Sequence, residues 1–442
     1  MARRIAVFGT GYLGATHAAC MATLGHNVLG VDVDEAKLAK LAVGEAPFFE
    51  PGLDEILRVA VESGNLRFTS SYAEAADFAE AHFVAVATPQ RQGEFAADLT
   101  YVESVIAELS PLLREPAVIF GKSTVPVGTA ARMAKLAHRL APIGDGIEVA
   151  WNPEFLREGF AVQDTLHPDR IVLGVDFDRP GQAEELARCI YRDMIDEGVP
   201  FLVTNRETAE LAKTAANAFL ATKISFINAM SEICEASGAD IAELADAIGH
   251  DDRIGRKFLN AGIGFGGGCL PKDIRALMAR SGEVGASQAL TLLREVDSIN
   301  MRRRAKTVEL ATELVGGSLI GVNVAVLGAA FKPNSDDIRD SPALNIAGQM
   351  QLQGASVSVY DPKAIENARK HFPTLHYAGS VGEACRGADI VLLLTEWDEF
   401  RRISPDDLSE VVRRRRVLDG RNCLQKQIWQ AAGWSYRGLG TQ

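Results

Sequence analysis

The 442-residue chain has only six cysteines, at positions 20, 189, 234, 269, 385 and 423, with no C-x-x-C pair and no zinc-ligand spacing. That excludes a disulfide-stapled scaffold, gives no metal site, and leaves free thiols of the kind expected in a reducing cytoplasm. No apolar run approaches the length of a membrane span, and no secretory leader precedes the first strand-like residues, so a cytoplasmic protein without membrane attachment is expected. Positive charge is also short: 46 Lys and Arg against 58 Asp and Glu give a formal charge of -12. Nothing therefore draws nucleic acid or anionic lipid to the surface as a whole, and an anionic ligand must find local cations.

What is present is a large apolar fraction, 47% of the residues, in a chain longer than one core organises, so two or three domains are expected. Ile5-Ala6-Val7-Phe8 reads as a buried parallel strand, followed by Gly9-Thr10-Gly11-Tyr12-Leu13-Gly14 and an alanine-rich helical stretch. A second strand ends at Asp32, roughly twenty positions beyond the glycines, where a carboxylate accepts hydrogen bonds from the ribose hydroxyls of NAD. The same carboxylate would repel the extra phosphate of NADP. Strand-like stretches 82–89 and 117–120 lead to Thr88 and Thr124, at the strand ends where doubly wound sheets bind ligands.

Beyond a further strand, Asn152-Pro153 leads into Glu154 and Glu158, four apart, which on a helical turn would share one face. Such a pair is either a solvated helix face or half of a site. Thr204-Asn205-Arg206-Glu207 fits a capping box, and the run from 204 to 236 holds neither Pro nor Gly, so one long helix is predicted, ended by Gly238. Glu210, Lys213 and Asn217 lie on one stripe of it, where the lysine either snorkels to the surface or donates to an oxyanion.

The glycine-rich run 264–268 leads straight into Cys269-Leu270-Pro271-Lys272-Asp273. Glycine lets backbone approach a ligand closely, and Pro271 suits the first turn of a helix whose positive end would lie beside Cys269. The thiol is either a small buried hydrophobe or a nucleophile. Arg253, Arg256 and Lys257 just upstream are local positive charge of the kind a diphosphate needs. In the last third, strands ending near Gly328, Asp361 and Thr395 repeat the pattern of the first, without its glycine fingerprint. A second doubly wound sheet with no second NAD site follows, with Lys332, Arg339 and Arg421 placed to grip phosphate.

These motifs together resemble the nucleotide-sugar dehydrogenases of the UDP-glucose/GDP-mannose dehydrogenase family, over nearly the whole chain. The matching stretches are GTGYLG at 9–14, KSTVPVGT at 122–129, NPEFLREG at 152–159, the Lys213/Asn217 helix, RIGRKFLNAGIGFGGGCLPKD at 253–273, FKPNSDDIRDSP at 331–342 and Asp419-Gly420-Arg421. Gly268 stands where the family more often has serine. The resemblance implies two Rossmann-like domains, residues 1–204 for NAD and 305–442 for the UDP-sugar, joined by a long central helix and a helical dimerisation region at 205–304.

It also implies a four-electron oxidation of UDP-glucose to UDP-glucuronate through a cysteine thioester. Cys269, Lys213, Asn217, Asp273, Glu154 and Thr124 would carry the chemistry. Gly9, Gly11, Tyr12, Leu13, Gly14, Asp32, Lys37, Thr88, Thr124, Glu158, Lys272 and Arg339 would hold NAD. Substrate contacts would come from Glu154, Phe155, Leu156, Glu158, Lys213 and Asn217, from Phe258, Leu259, Gly264, Phe265, Gly266 and Cys269, and from Phe331, Lys332 and Arg421. Arg253 would reach a neighbouring subunit's substrate, making the active form at least a homodimer. The same chemistry on another nucleotide sugar, a two-electron hydroxyacid dehydrogenase and a non-catalytic NAD sensor are the competing readings, although the last two have no use for Cys269.

Overall fold

The computed structural model describes residues 2–179 and 181–441. They form two compact units, one of residues up to 216 together with Arg275–Val284, the other of Asn217–Ile274 with everything from 285 onward. The first unit is built on an eight-stranded sheet of β1 (Arg4–Phe8), β2 (Asn27–Val31), β3 (Leu66–Thr69), β4 (Ala81–Val84), β5 (Ala117–Gly121), β6 (Ile147–Trp151), β7 (Ile171–Val175) and β8 (Phe201–Asn205). Their order is β3-β2-β1-β4-β5-β6-β7-β8, parallel throughout except where β6 meets β7. Side chains alternate across this sheet: Ile5 and Val7 enter one core with Ala15 and Ala18, Ala6 and Phe8 the other with Val102 and Ile106. Burial on both faces is what a parallel sheet requires, and it explains the near-continuous apolar strands.

The second unit repeats this plan with β9 (Asn323–Leu327), β10 (Ser356–Tyr360), β11 (His376–Tyr377), β12 (Ile390–Leu393), β13 (Arg416–Asp419) and β14 (Ser435–Gly438). All six are parallel, in the order β11-β10-β9-β12-β13-β14. This is the 3-2-1-4-5-6 order of the first six strands of the other sheet, so each sheet has its crevice at the carboxyl ends of its first and fourth strands.

The long helix is one piece, Arg206–Ser237, but its start differs from the capping box read in the sequence. Thr204 lies in β8, paired with Gly174 of β7, and the cap is Asn205, whose Oδ1 accepts from the Thr208 amide at 2.8 Å. Gly238 ends the helix with φ +81°, as a residue without Cβ does readily. Among the described residues no helix is long and apolar enough to cross a membrane, and no cluster of His, Cys, Asp or Glu could hold a metal ion.

Two histidines are walled into the first unit: His82 in β4 and His17, whose ring stands 4.6 Å from that of Phe83. Burial lowers His82 to about 4 and pushes His17 well below its ordinary range. The unfolded chain therefore takes up protons that the folded one refuses, so stability is full above pH 6.5 and falls as pH drops from 6.5 towards 4. For His82 the loss is about 3 kcal/mol at pH 4. Urea unfolding at pH 7 and pH 5 checks this, and His82→Phe should flatten the dependence.

Candidate active site

One cluster of candidate residues lies in the first unit. The turn after β1 is built for close approach: Gly9 has φ +88°, and a Cβ on Gly14 would sit 1.7 Å from the Gly9 carbonyl oxygen. A Cβ on Gly11 would meet nothing within 4 Å, which leaves the open face where the fingerprint admits a pyrophosphate. Asp32 Oδ2 accepts from the Thr10 amide at 2.8 Å and its hydroxyl at 2.9 Å, and pairs with Lys37 Nζ at 2.9 Å. Burial alone would raise this carboxyl, but Lys37, Thr10 and Asp34 hold it below its usual value, so it stays ionised. Thr88 donates to the Thr124 carbonyl at 2.8 Å, joining the loops that follow β4 and β5.

Glu154 and Glu158 do not share a helical face. Residues 152–157 form no helix, because Pro153 donates no amide and Gly159 turns with φ +79° before a short helix begins at Ala161. Glu154 Oε2 instead accepts from the amide of Leu156 at 2.7 Å, while its Oε1 meets Lys213 Nζ at 2.9 Å. Lys213 is 4% exposed, so it does not snorkel: the long helix aims a buried ammonium at a carboxylate. Glu158 is itself buried.

Two carboxylates that were passed over or given no role in the sequence organise this cluster. Glu50 accepts from the Gly159 and Ala161 amides at 2.7 Å each and from the Tyr12 hydroxyl, linking the fingerprint to the 152–159 segment. Glu210, one turn before Lys213, accepts from the Gly128 and Ala130 amides and so caps the helix Thr129–Leu140 that follows the Thr124 loop. Burial pushes Glu210 up to about 7 against those two donors. The usable signal was Glu210's place on the Lys213 stripe; Glu50 offered none of that kind, since its two amide partners are more than a hundred residues away.

The second cluster lies in the second unit. Asn217 Nδ2 donates to Asp273 Oδ2 at 2.6 Å, and Lys272 Nζ lies 2.8 Å from Asp273 Oδ1. The helix Leu270–Glu283 starts one residue after Cys269, which is exposed, with Pro271 and Asp273 in its first turn. The thiol therefore stands, exposed, at the positive end of a helix.

Three family models match the chain in succession: the NAD binding domain over residues 3–195, the central domain over 207–302 and the UDP binding domain over 325–426, all of the UDP-glucose/GDP-mannose dehydrogenase family. The chain belongs to that family. It is 40% identical over 437 residues to a UDP-glucose 6-dehydrogenase of Rhizobium meliloti, and 40% identical over 444 residues to one of Rickettsia typhi, each match covering 99% of both chains. Among solved structures it is similar to a UDP-glucose dehydrogenase from the hyperthermophilic archaeon Pyrobaculum islandicum. That match has a TM-score of 0.91 at 35% identity, over 100% of this chain and 98% of the other.

For a member of the UDP-glucose/GDP-mannose dehydrogenase family, the glycine run before Cys269 has an unexpected use. A Cβ on Gly264 would lie 2.4 Å from Asn300 Oδ1, on Gly266 2.3 Å from the Asp340 carbonyl oxygen, on Gly267 2.8 Å from the Phe331 ring and on Gly268 2.3 Å from Arg339 Cζ. Three of the four missing side chains make room for the protein's own 331–340 segment and the fourth for Asn300. At Gly268 the space that a Cβ would take is occupied by the Arg339 guanidinium.

The run is also tied down. Asn300 exchanges two hydrogen bonds with the Phe265 backbone, Asn228 accepts from the Gly262 amide and Arg303 donates to its carbonyl. Arg421 donates to the carbonyls of Gly264, Phe331 and Leu394, so this cation at the end of β13 is first a clamp on two loops. Lys332 follows β9, Nζ 5.3 Å from the Phe331 ring centre. Two of the three upstream cations are already paired: Arg253 with Asp251 at 2.6 Å and Arg256 with Asp246 at 2.5 Å. The positive charge read there is therefore partly neutralised on its own segment.

Proposed function

We propose that the protein oxidises the 6-hydroxymethyl group of UDP-glucose to the carboxylate of UDP-glucuronate, with two NAD+ and one water consumed and three protons released. The observation that carries this reading is the exposed Cys269 at a helix start, with Asp273, Asn217 and Lys272 joined by hydrogen bond and ion pair in the next turn, in a chain that also holds an NAD fingerprint. An alcohol-to-ketone dehydrogenase has no use for a thiol, whereas in an alcohol-to-acid enzyme a thiol can hold the aldehyde as a thiohemiacetal for the second hydride transfer. The 40% identical relatives named UDP-glucose 6-dehydrogenase support glucose as the sugar.

The residues around the open face of Gly11, with Asp32 ionised and Thr88 on the next strand end, fit a dinucleotide. NAD+ supplies the hydride acceptor for each of the two oxidations. In the first, the Lys213 ammonium and the Asn217 amide stabilise the developing alkoxide, while Asp273 orders the water that takes the hydroxyl proton. The Cys269 thiolate then adds to the aldehyde carbon, forming a C–S bond; loss of the second hydride leaves a thioester. Glu154, assisted by Thr124, takes a proton from the attacking water as the C–S bond breaks and the thiolate departs. Lys332 and Arg421 serve the nucleotide end of the substrate. The test is to count NADH per sugar with UDP-glucose, UDP-N-acetylhexosamines and GDP-mannose: two per UDP-glucose is expected. One per substrate, or turnover only with another sugar, would overturn the reading.

The working form is a homodimer in a reducing cytoplasm, in which thiols such as Cys269 persist. On the long helix Phe219, Phe226 and Ile233 recur every seventh residue and are 67%, 48% and 57% exposed, a stripe that a second copy of the helix would cover. Phe226→Asp should halve the mass seen by sedimentation at micromolar protein; an unchanged mass removes the stripe from the interface.

A further inference from the structure

Lys122 follows β5 directly and is 8% exposed, a charged side chain to which the reaction above gives no task. Its ammonium donates to Asn152 Oδ1 at 3.0 Å and lies 3.5 Å from the Tyr191 hydroxyl, 5.9 Å from the Phe83 ring centre and 5.8 Å from that of Tyr191. The Tyr191 hydroxyl donates to the same Asn152 oxygen at 2.7 Å. The Asn152 side chain in turn donates to the Val172 carbonyl at 2.8 Å, and its backbone amide to the Gly121 carbonyl at 2.8 Å. Two residues further on is Glu154.

The geometry points to Lys122 as a positioning residue for Glu154: it anchors the Asn152-Pro153-Glu154 corner from beneath and supplies a second fixed positive charge, besides Lys213, to the carboxylate. This rests on the reading of Glu154 as the base that activates water. The titratable or charged groups facing Lys122 are Glu154, Lys213, His17 and Tyr191. Burial lowers the lysine to about 8, with Glu154 opposing that and Lys213 adding to it. The folded protein therefore carries this charge at a cost in stability, since an apolar side chain of similar length would fill the space between two rings without desolvating an ammonium. A group that costs stability and stands behind a reacting carboxylate is one whose charge is used.

Lys122→Met separates the roles. Its melting temperature should equal or exceed the parent's, whereas uronate release in single turnover should fall about tenfold, and the acid limb of its pH profile should move, because the site loses a cation. Tyr191→Phe keeps the charge and loosens the anchor, so its rate should fall with the limb in place. A Lys122→Met enzyme with parental rate and limb overturns the proposal, as does a Tyr191→Phe enzyme that stays parental if Lys122→Met does not fold. Glu154→Gln distinguishes the two levels: an acid limb that survives this change overturns the base assignment and this role together, whereas a limb lost in Glu154→Gln yet unmoved in Lys122→Met overturns only the role of Lys122.

Discussion

Cys269→Ser should stop uronate formation while leaving the first oxidation running. Serine keeps the shape of the site but offers a hydroxyl that is scarcely ionised near neutral pH, where a thiol at a helix start is a competent nucleophile. The aldehyde then lacks the thiohemiacetal from which the second hydride leaves, and the yield should fall from two NADH per sugar to one or fewer. A drop of at least about a thousandfold in uronate release is expected, the size typical of losing a covalent nucleophile. Rapid-quench product analysis with the variant, starting once from the alcohol and once from the aldehyde, reads both steps. Uronate released at the parental rate would remove the thioester from the reaction, and equal loss from both steps would mean that the substitution had disturbed the site as a whole.

Lys213→Met should act earlier. The ammonium is buried beside Glu154, 2.9 Å from its Oε1, and in the proposed first step it is the strongest donor to the alkoxide. Removing one such donor from a water-poor site costs about 3–4 kcal/mol, or roughly 10²- to 10³-fold in rate. The substitution also strands Glu154, whose side chain is 11% exposed, without its cation. The pre-steady-state formation of the first NADH is the measurement, and a loss of less than tenfold there would move the alkoxide stabiliser elsewhere, with Asn217 next in line.

The parts of the fold that were legible in sequence are those where one local pattern decides the structure. Strand, glycines, helix and Asp32 follow one another within thirty-odd residues, and the long helix needed only an unbroken run closed by Gly238. Short strands of mixed exposure, such as β3, β8 and β11, carried no comparable signal, because their place is fixed by the neighbours they pair with. At the site, four-residue spacing suggested a helical pair for Glu154 and Glu158, but Pro153 and Gly159 break the helix that spacing assumed. The glycines before Cys269 announced a close approach, but the neighbouring 331–340 segment could not be read from them, since its proximity is a tertiary fact. Glu50 and Lys122 were hidden for the same reason: each matters through residues far away in the chain.

One consequence concerns synthesis. The segment Arg275–Val284 is counted with the first unit, and there Arg280 donates to the Val127 carbonyl at 2.9 Å, on the loop that begins at Thr124. A ribosome therefore cannot complete the amino-terminal unit when residue 216 emerges; it must first make Asn217–Ile274, which belong to the other unit. The nascent Rossmann sheet waits through that interval with the Thr124 loop short of one restraint. A fragment truncated at 216 should accordingly be cut by protease in the 124–128 loop far faster than the full chain.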